Sequence, residues 1–177
     1  SGASSAAALA RIRRSVLRVR SCTVFIAACA VSSPLAILGN SDTAPVIKDM
    51  LDQEEKHLER FNALVAERNV RPTVLEPLWH VAGFALGATT AALGRDAAMA
   101  CTVAVEDVIG EHYAEQAAQL GDDEKDLRKT ISEFRDDELH HRDVSLKNGA
   151  KNAPAYEVLT GAVKAGTRLA IWLSKRI

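Results

Sequence analysis

The chain has 177 residues, of which 47% are hydrophobic but only 5% aromatic, and its formal net charge is −1. This length allows one domain with a sizeable core rather than two, and the charge balance gives no reason to expect a nucleic-acid partner. The three cysteines form no CxxC pair, which favours small buried thiols over a disulfide framework.

The N-terminal segment is basic. Residues 1–33 are rich in Ala, Ser and Arg, and residues 1–41 contain five arginines but no Asp or Glu, a composition typical of a mitochondrial targeting segment. An uncharged run of 17 residues from Cys22 to Leu38 follows, so a secretory signal or a membrane anchor is the alternative. We predict a targeting-like segment over 1–33 that merges into an atypical first helix, and a helical domain over 34–177.

Helices are predicted for the rest of the chain. Apolar residues at steps of three and four from Ile47 onward predict a second helix that ends near Arg68. Pro77 can start a third helix that runs to Gly94. Residues 78–93 bear no formal charge, and this segment is too short to span a bilayer, so it belongs either to the core or to a membrane interface.

Three more helices complete the prediction. A fourth is expected over about 97–119, and a fifth begins after Asp122 or Asp123, either of which can cap it. Pro154 suits the first turn of a sixth helix, which ends at the basic pair 175–176. Because no strand pattern and no glycine-rich phosphate loop occurs, we predict an all-α bundle of about six helices.

Two segments read Glu-x-x-His, at Glu54–His57 and at Glu138–His141. Residues i and i+3 share one helix face, so each pair can offer a carboxylate and an imidazole to one metal ion. Both pairs lie on the apolar stripes of their helices, where an ionised carboxylate is costly unless it is paired or metal-bound. The competing pair Asp137–His140 lies with polar residues instead.

Glu106 lies on an otherwise apolar stripe, between Val103 and Tyr113. Ferritin-like di-iron bundles take such further glutamates from neighbouring helices, and this donor set suits iron or manganese better than a structural zinc site. We therefore predict a ferritin-like four-helix bundle core with additional helices. A buried carboxylate–imidazole network without metal is the alternative. The predicted metal ligands are Glu54, His57, Glu106, Glu138 and His141.

Six segments, among them Asp-Gln-Glu-Glu-Lys-His at 52–57 and Phe-Arg-Asp-Asp-Glu-Leu-His-His at 134–141, resemble the 5-demethoxyubiquinone hydroxylase family. The other four segments lie at 70–79, 83–88, 98–106 and 153–156. The resemblance covers about residues 44–177 and implies a mitochondrial di-iron monooxygenase of ubiquinone biosynthesis, which inserts one oxygen atom of O₂ into the quinone ring.

The resemblance also implies roles for single residues. Glu54 and Glu138 would bridge two iron ions, His57 and His141 would be terminal ligands, and Glu106 a terminal carboxylate. Tyr113 and His112 match family positions near the metals that are implicated in passing electrons from quinone or NADH. For Tyr113 the alternative is a core aromatic, and for His112 a surface histidine.

The implied partners are a polyprenyl quinone substrate, a membrane surface, a lipid-binding accessory protein and other members of the coenzyme Q biosynthetic complex, with homo-oligomerisation left open. The implied location is the matrix side of the mitochondrial inner membrane, as a peripheral protein. The uncharged third helix is the candidate membrane surface, with Trp79 and Phe84 as anchors.

One family feature is missing. The family's first helix normally carries an Asp-His-Ala-Gly-Glu segment whose Glu is a sixth ligand, and counting back from Glu54 places Val24 there. We expect this loss to weaken mainly the metal shared with His57. A leader from an alternative transcript or faulty gene model, a weaker site completed by water, and a form that does not turn over are the open explanations.

The alternative function is therefore a catalytically impaired lipid-binding or scaffold member of the coenzyme Q biosynthetic complex. An iron-oxidising ferritin relative is a third hypothesis, which the uncharged third helix disfavours because cage subunits need no membrane face.

Overall fold

The computed structural model describes residues 23–24, 26–28 and 30–177. These residues form six α-helices and two short 3-10 turns, with no strand among them, which confirms the all-α prediction. The first helix, α1, ends at residue 38. The others are α2 (Ala44–Arg68), α3 (Glu76–Ala92), α4 (Arg95–Gln119), α5 (Lys125–Lys147) and α6 (Tyr156–Ser174).

Helix α4 is the centre of the bundle. Every residue from Ala97 to Glu106 is buried, because α4 packs against α3, α5 and α6 at once. A helix surrounded on all sides is apolar on all sides, and most of this run is Ala, Val, Met or Cys. Glu106 is its one charged residue. A carboxylate in that position is costly unless other groups in the core compensate it.

The predicted second and third helices agree with the structure to within three residues. Asn69 closes α2 in the left-handed conformation, with φ of 51°, and its N–H bonds back to the last turn. Gly94 has φ of 115° where α3 passes into α4, a value that favours glycine. These two turns set the directions of the helices that carry the candidate site.

Two predicted helix starts are wrong. Neither Asp122 nor Asp123 caps α5, because a 3-10 turn over Asp122–Glu124 precedes it and Glu124 forms an ion pair with Arg68 at 2.6 Å instead. Pro154 lies outside the last helix, since Ala155 adopts a left-handed conformation with φ of 49° and α6 begins only at Tyr156.

Helix α3 exposes one apolar face. Leu78, Val81 and Phe84, three residues apart, are 54%, 68% and 51% exposed. The prediction that Trp79 is a surface anchor is wrong, because its ring is buried and its Nε1–H donates to Ser174 Oγ at 2.8 Å. None of the helices in the described part of the chain combines the length and the hydropathy that a membrane-spanning segment requires.

The described part of α1 packs into the core. Val24 and Ala27 are fully buried, in the same apolar cluster as Phe61 and Tyr113. Residues 1–22 of the predicted targeting-like segment lie outside the described residues, as do Phe25 and Cys29. Residues 30–38 form one continuous helix across the predicted boundary at 33.

Candidate metal centre

Three helices bring four of the predicted ligands together inside the bundle. One ligand atom from each of Glu54 (α2), Glu106 (α4), Glu138 and His141 (both α5) lies within 4.8 Å of the other three. All four side chains are buried, the carboxylates completely. Carboxylates crowded in this way repel one another unless protons or a cation neutralise them.

His57, the fifth predicted ligand, lies beside this group. Its Nδ1 is 3.4 Å from Oε1 of Glu138 and 3.8 Å from Oε2 of Glu54. His141 mirrors it, with Nδ1 at 3.4 Å from Oε1 of Glu54 and 3.5 Å from Oε2 of Glu138. Each of the two carboxylates thus turns one oxygen to each histidine.

The outer nitrogen of each histidine is held by a residue of the opposite helix. Nε2 of His57 donates to Oδ2 of Asp137 on α5 at 3.0 Å, and Nε2 of His141 donates to Oε1 of Gln53 on α2. In a neutral imidazole these bonds place the proton on Nε2, which leaves the inward Nδ1 with a lone pair for a metal ion. Sequence reasoning missed both partners. The available signal was their position immediately before the Glu of each Glu-x-x-His segment.

Among the residues that the structure describes, the inward-facing atoms have no hydrogen-bond partner. Such orphans are rare in protein interiors, because a buried unpaired polar atom costs about 1–3 kcal/mol. The atoms are both oxygens of Glu54, Glu106 and Glu138 and the Nδ1 atoms of His57 and His141. Carboxylate oxygen and imidazole nitrogen are ligands that suit a divalent cation such as Fe²⁺ or Mn²⁺.

The pKa values in the group are displaced in opposite directions. Burial and the charge of Glu138 raise the pKa of Glu54 to about 7, and burial raises the pKa of Glu106 well above its usual range. Burial also opposes ionisation of Glu138, but His141 and His57 outweigh it and lower its pKa to about 2. Burial opposes charge on His141 too, yet Glu138 and Glu54 raise its pKa to about 9.

Tyr113 and His112 occupy different environments. Burial and the neighbouring carboxylates, Glu138 first, raise the pKa of Tyr113 well above its usual range, so this tyrosine stays protonated beside the site. The structure does not bring His112 into the carboxylate group. Its Nε2 accepts a hydrogen bond from Gln116 at 2.7 Å, and it lines a cavity of about 210 Å³ between α4 and α6.

An apolar groove lies between α3 and α6, with a volume of about 380 Å³. Its lining includes Ile26 of α1, Trp79 and Gly83 of α3, and Val163 and Gly166 of α6. A Cβ atom added at Gly166 would meet nothing within 4 Å, so the groove is open at this position. A mostly apolar groove of this size suits a hydrophobic ligand.

Comparison with known proteins gives a specific match. The family model described as ubiquinone biosynthesis protein COQ7 matches residues 11–174. The chain is 58% identical to a 3-demethoxyubiquinol 3-hydroxylase of Rhodospirillum rubrum over 144 residues, 81% of this chain and 68% of that protein.

Two further relatives are named NADPH-dependent 3-demethoxyubiquinone 3-hydroxylase, mitochondrial. The one from Dictyostelium discoideum is 47% identical over 92% of this chain and 76% of its own length. The one from Homo sapiens is 50% identical over 81% of this chain and 68% of its own length.

Proposed function

The chain belongs to the family of ubiquinone biosynthesis protein COQ7, and from this premise we propose that it hydroxylates the ring of demethoxyubiquinone with O₂ at an iron centre. The relatives described above are named as hydroxylases of demethoxyubiquinone or its quinol. The observation that carries the proposal is the set of buried, unpaired carboxylate and imidazole atoms that converge between α2, α4 and α5.

Five residues would hold the metal in the proposed centre. The two oxygens of Glu54 point to different histidines, as do those of Glu138, which is the arrangement a bridging carboxylate needs. Glu106 would add a terminal carboxylate, and His57 and His141 would each offer Nδ1. Iron held there would supply the activation of O₂ that ring hydroxylation requires.

Two residues are proposed to deliver electrons to the centre. Tyr113 keeps its proton in a buried position among the carboxylates, which places a protonated phenol beside the proposed centre. His112 stays neutral, because burial lowers its pKa to about 3. The family resemblance implies NADH or a reduced quinone as the reductant. The names of two relatives favour NADPH, so a reduced nicotinamide is the first donor to test.

The substrate is proposed to be a polyprenyl quinone that reaches the protein from a membrane. The apolar groove between α3 and α6 can take part of such a molecule, and the exposed face of α3 can lie on the bilayer surface. Two relatives named mitochondrial support a mitochondrial location. We propose peripheral attachment to the matrix side of the inner membrane, near a lipid-binding accessory protein and the other coenzyme Q biosynthetic proteins.

The experiment loads purified protein with Fe²⁺ anaerobically, then adds demethoxyubiquinone, NADPH and ¹⁸O₂. Mass spectrometry is expected to show a quinone that has gained a single labelled oxygen atom. Glu138→Gln keeps the shape of the ligand and removes its charge, so this variant should fold but form no product. Folded, iron-loaded wild-type protein that yields no hydroxylated quinone with NADPH, NADH or a reduced quinone would contradict the proposal.

A further inference from the structure

The two sides of the candidate centre are unequally supplied with donor atoms. His141 belongs to the group that also includes Glu54, Glu106 and Glu138, whereas His57 lies outside that group. Within the described residues, the inward Nδ1 of His57 approaches carboxylate oxygens of Glu54 and Glu138 alone, and the other side shares both of these residues. Among the described side chains, its ring packs on Phe134, with centroids 4.0 Å apart.

Helix α1 cannot correct this inequality with a carboxylate. Residues 1–41 contain no Asp, Glu or His. The described part of α1 presents Val24 and Ala27, fully buried, to the cluster that contains Phe61 and Tyr113. The segment does contain the thiols of Cys22 and Cys29, but Mn²⁺ prefers oxygen and nitrogen ligands.

The charges of the group also favour one metal ion on the His141 side over a second metal ion at His57. The group contains three carboxylates, so one divalent cation and one remaining proton make it neutral. A second divalent cation beside His57 would exceed the charge of these three carboxylates, and among the described residues the half-exposed Asp137, on the outer nitrogen of His57, could offset only part of the excess. Uncompensated charge in a protein interior is strongly disfavoured.

We infer that this chain has one strong metal position, formed by Glu54, Glu106, Glu138 and His141, and a much weaker second position at His57. The loss of a supporting group outside the ligands already costs about 10–100-fold in metal affinity, so we expect the second equivalent to bind at least about 100-fold more weakly. This inference rests on the proposed function, because it assigns the same residues to the metal.

The experiment titrates metal-free protein with Mn²⁺ alone and follows bound and free Mn²⁺ by electron paramagnetic resonance. We expect one tight equivalent per chain with the signal of an isolated ion and no spin-coupled pair. His141→Ala should abolish tight binding, and His57→Ala should keep it. Anaerobic Fe²⁺ loading with metal analysis should repeat the stoichiometry of one.

A matched pair of variants tests the role of α1. Val24→Glu adds a carboxylate to the buried face of α1 and should raise the stoichiometry to two, with a coupled signal. Val24→Gln introduces a side chain of the same size as glutamate but without the charge, and should leave the stoichiometry at one metal ion per chain. If folded Val24→Glu still binds one equivalent, the missing carboxylate is not what limits the second position, and the inference is wrong.

The remaining outcomes separate the inference from the proposed function. Two tight equivalents in the wild type, or equal losses in the two histidine variants, would overturn the unequal centre and leave the proposed function standing. Folded wild-type protein that binds neither Mn²⁺ nor Fe²⁺ would contradict both.

Discussion

The side chain of Asp137 lies 3.0 Å from Nε2 of His57, although the two residues are on different helices and 80 positions apart. The reciprocal bond joins Gln53 to His141. Each Glu-x-x-His helix therefore orients the histidine of the other. Asp137 is a carboxylate and Gln53 a neutral amide, so the two histidines are oriented by acceptors of different charge.

Asp137 is expected to support the metal site from outside. Asp137→Ala removes the acceptor that fixes the His57 tautomer, and outer partners of this kind are worth about 10–100-fold in metal affinity. The measurement is the occupancy of the His57 position in the Val24→Glu background, where we expect two metals. Asp136→Ala is the matched control, since its exposed carboxylate pairs with the neighbouring Arg135 at 3.8 Å and not with His57. Equal effects of the two variants would contradict this role.

The stability of metal-free protein should fall as pH rises from about 6.5 to 9. The pKa of His141 is raised to about 9 in the folded state, so its stabilising contribution is complete below 6.5 and is lost as pH rises through 9. The raised pKa of Glu54, about 7, acts in the same direction up to that pH. The lowered pKa of His112 makes stability rise with pH, but only below pH 6.5, outside the range of this prediction.

Thermal unfolding at several pH values measures this trend. Metal should reverse it, because deprotonated ligands bind metal more tightly. His141→Gln should flatten the metal-free trend, whereas His140→Gln, which changes an exposed imidazole next to it, should preserve it. A metal-free unfolding temperature that rises between pH 6.5 and 9 would be inconsistent with these charges.

The groove between α3 and α6 can be blocked without disturbing the metal site. Gly166→Leu places a side chain in the groove where nothing lies within 4 Å, and it replaces a helical glycine, so folding should not suffer. We expect at least a tenfold loss of kcat/KM for demethoxyubiquinone, which corresponds to about 1.4 kcal/mol, with unchanged metal content.

Gly161→Leu is the control for the groove, because Gly161 is on the same helix, has equal free space and does not line the groove. Unchanged kinetics in Gly166→Leu, or the same loss in both variants, would show that the quinone binds elsewhere.

The exposed face of α3 should determine membrane binding. Val81→Glu combined with Phe84→Glu places two charges on this face, and each large apolar side chain contributes about 1.5–3 kcal/mol when fully buried. We expect more than a tenfold loss of partition into phospholipid vesicles containing anionic lipid. The double variant Val158→Glu and Leu169→Glu alters equally exposed residues of α6 and should retain binding. If both pairs lose binding equally, the α3 assignment is wrong.

The sequence predicted those parts of the centre that depend on positions within one helix. The spacing of three between Glu54 and His57, repeated in α5, requires both members of each pair to share a face. Their place on an apolar stripe then turns that face inward. Glu106 followed by the same argument, because it interrupts an apolar run.

Relations between helices were not predictable in this way. The local pattern predicts that Asp137 lies on a polar face, and its side chain is half exposed. It nevertheless contacts His57 of α2. The local pattern around Trp79 predicts an interfacial anchor. In the fold its indole N–H donates instead to Ser174, which lies 95 positions later in the chain. Pro154 is compatible with a first helical turn, but the left-handed Ala155 delays the helix. Each of these three features depends on the packing of helices against one another, which the local sequence pattern does not contain.

The most direct test of the metal centre is an anomalous-scattering map recorded at the iron edge, from crystals of the anaerobically iron-loaded protein. We predict a peak between α2, α4 and α5 that marks an iron ion bound by Glu54, Glu106, Glu138 and His141. Iron bound only at other residues, or a well-ordered bundle with no peak at this position, would contradict the account.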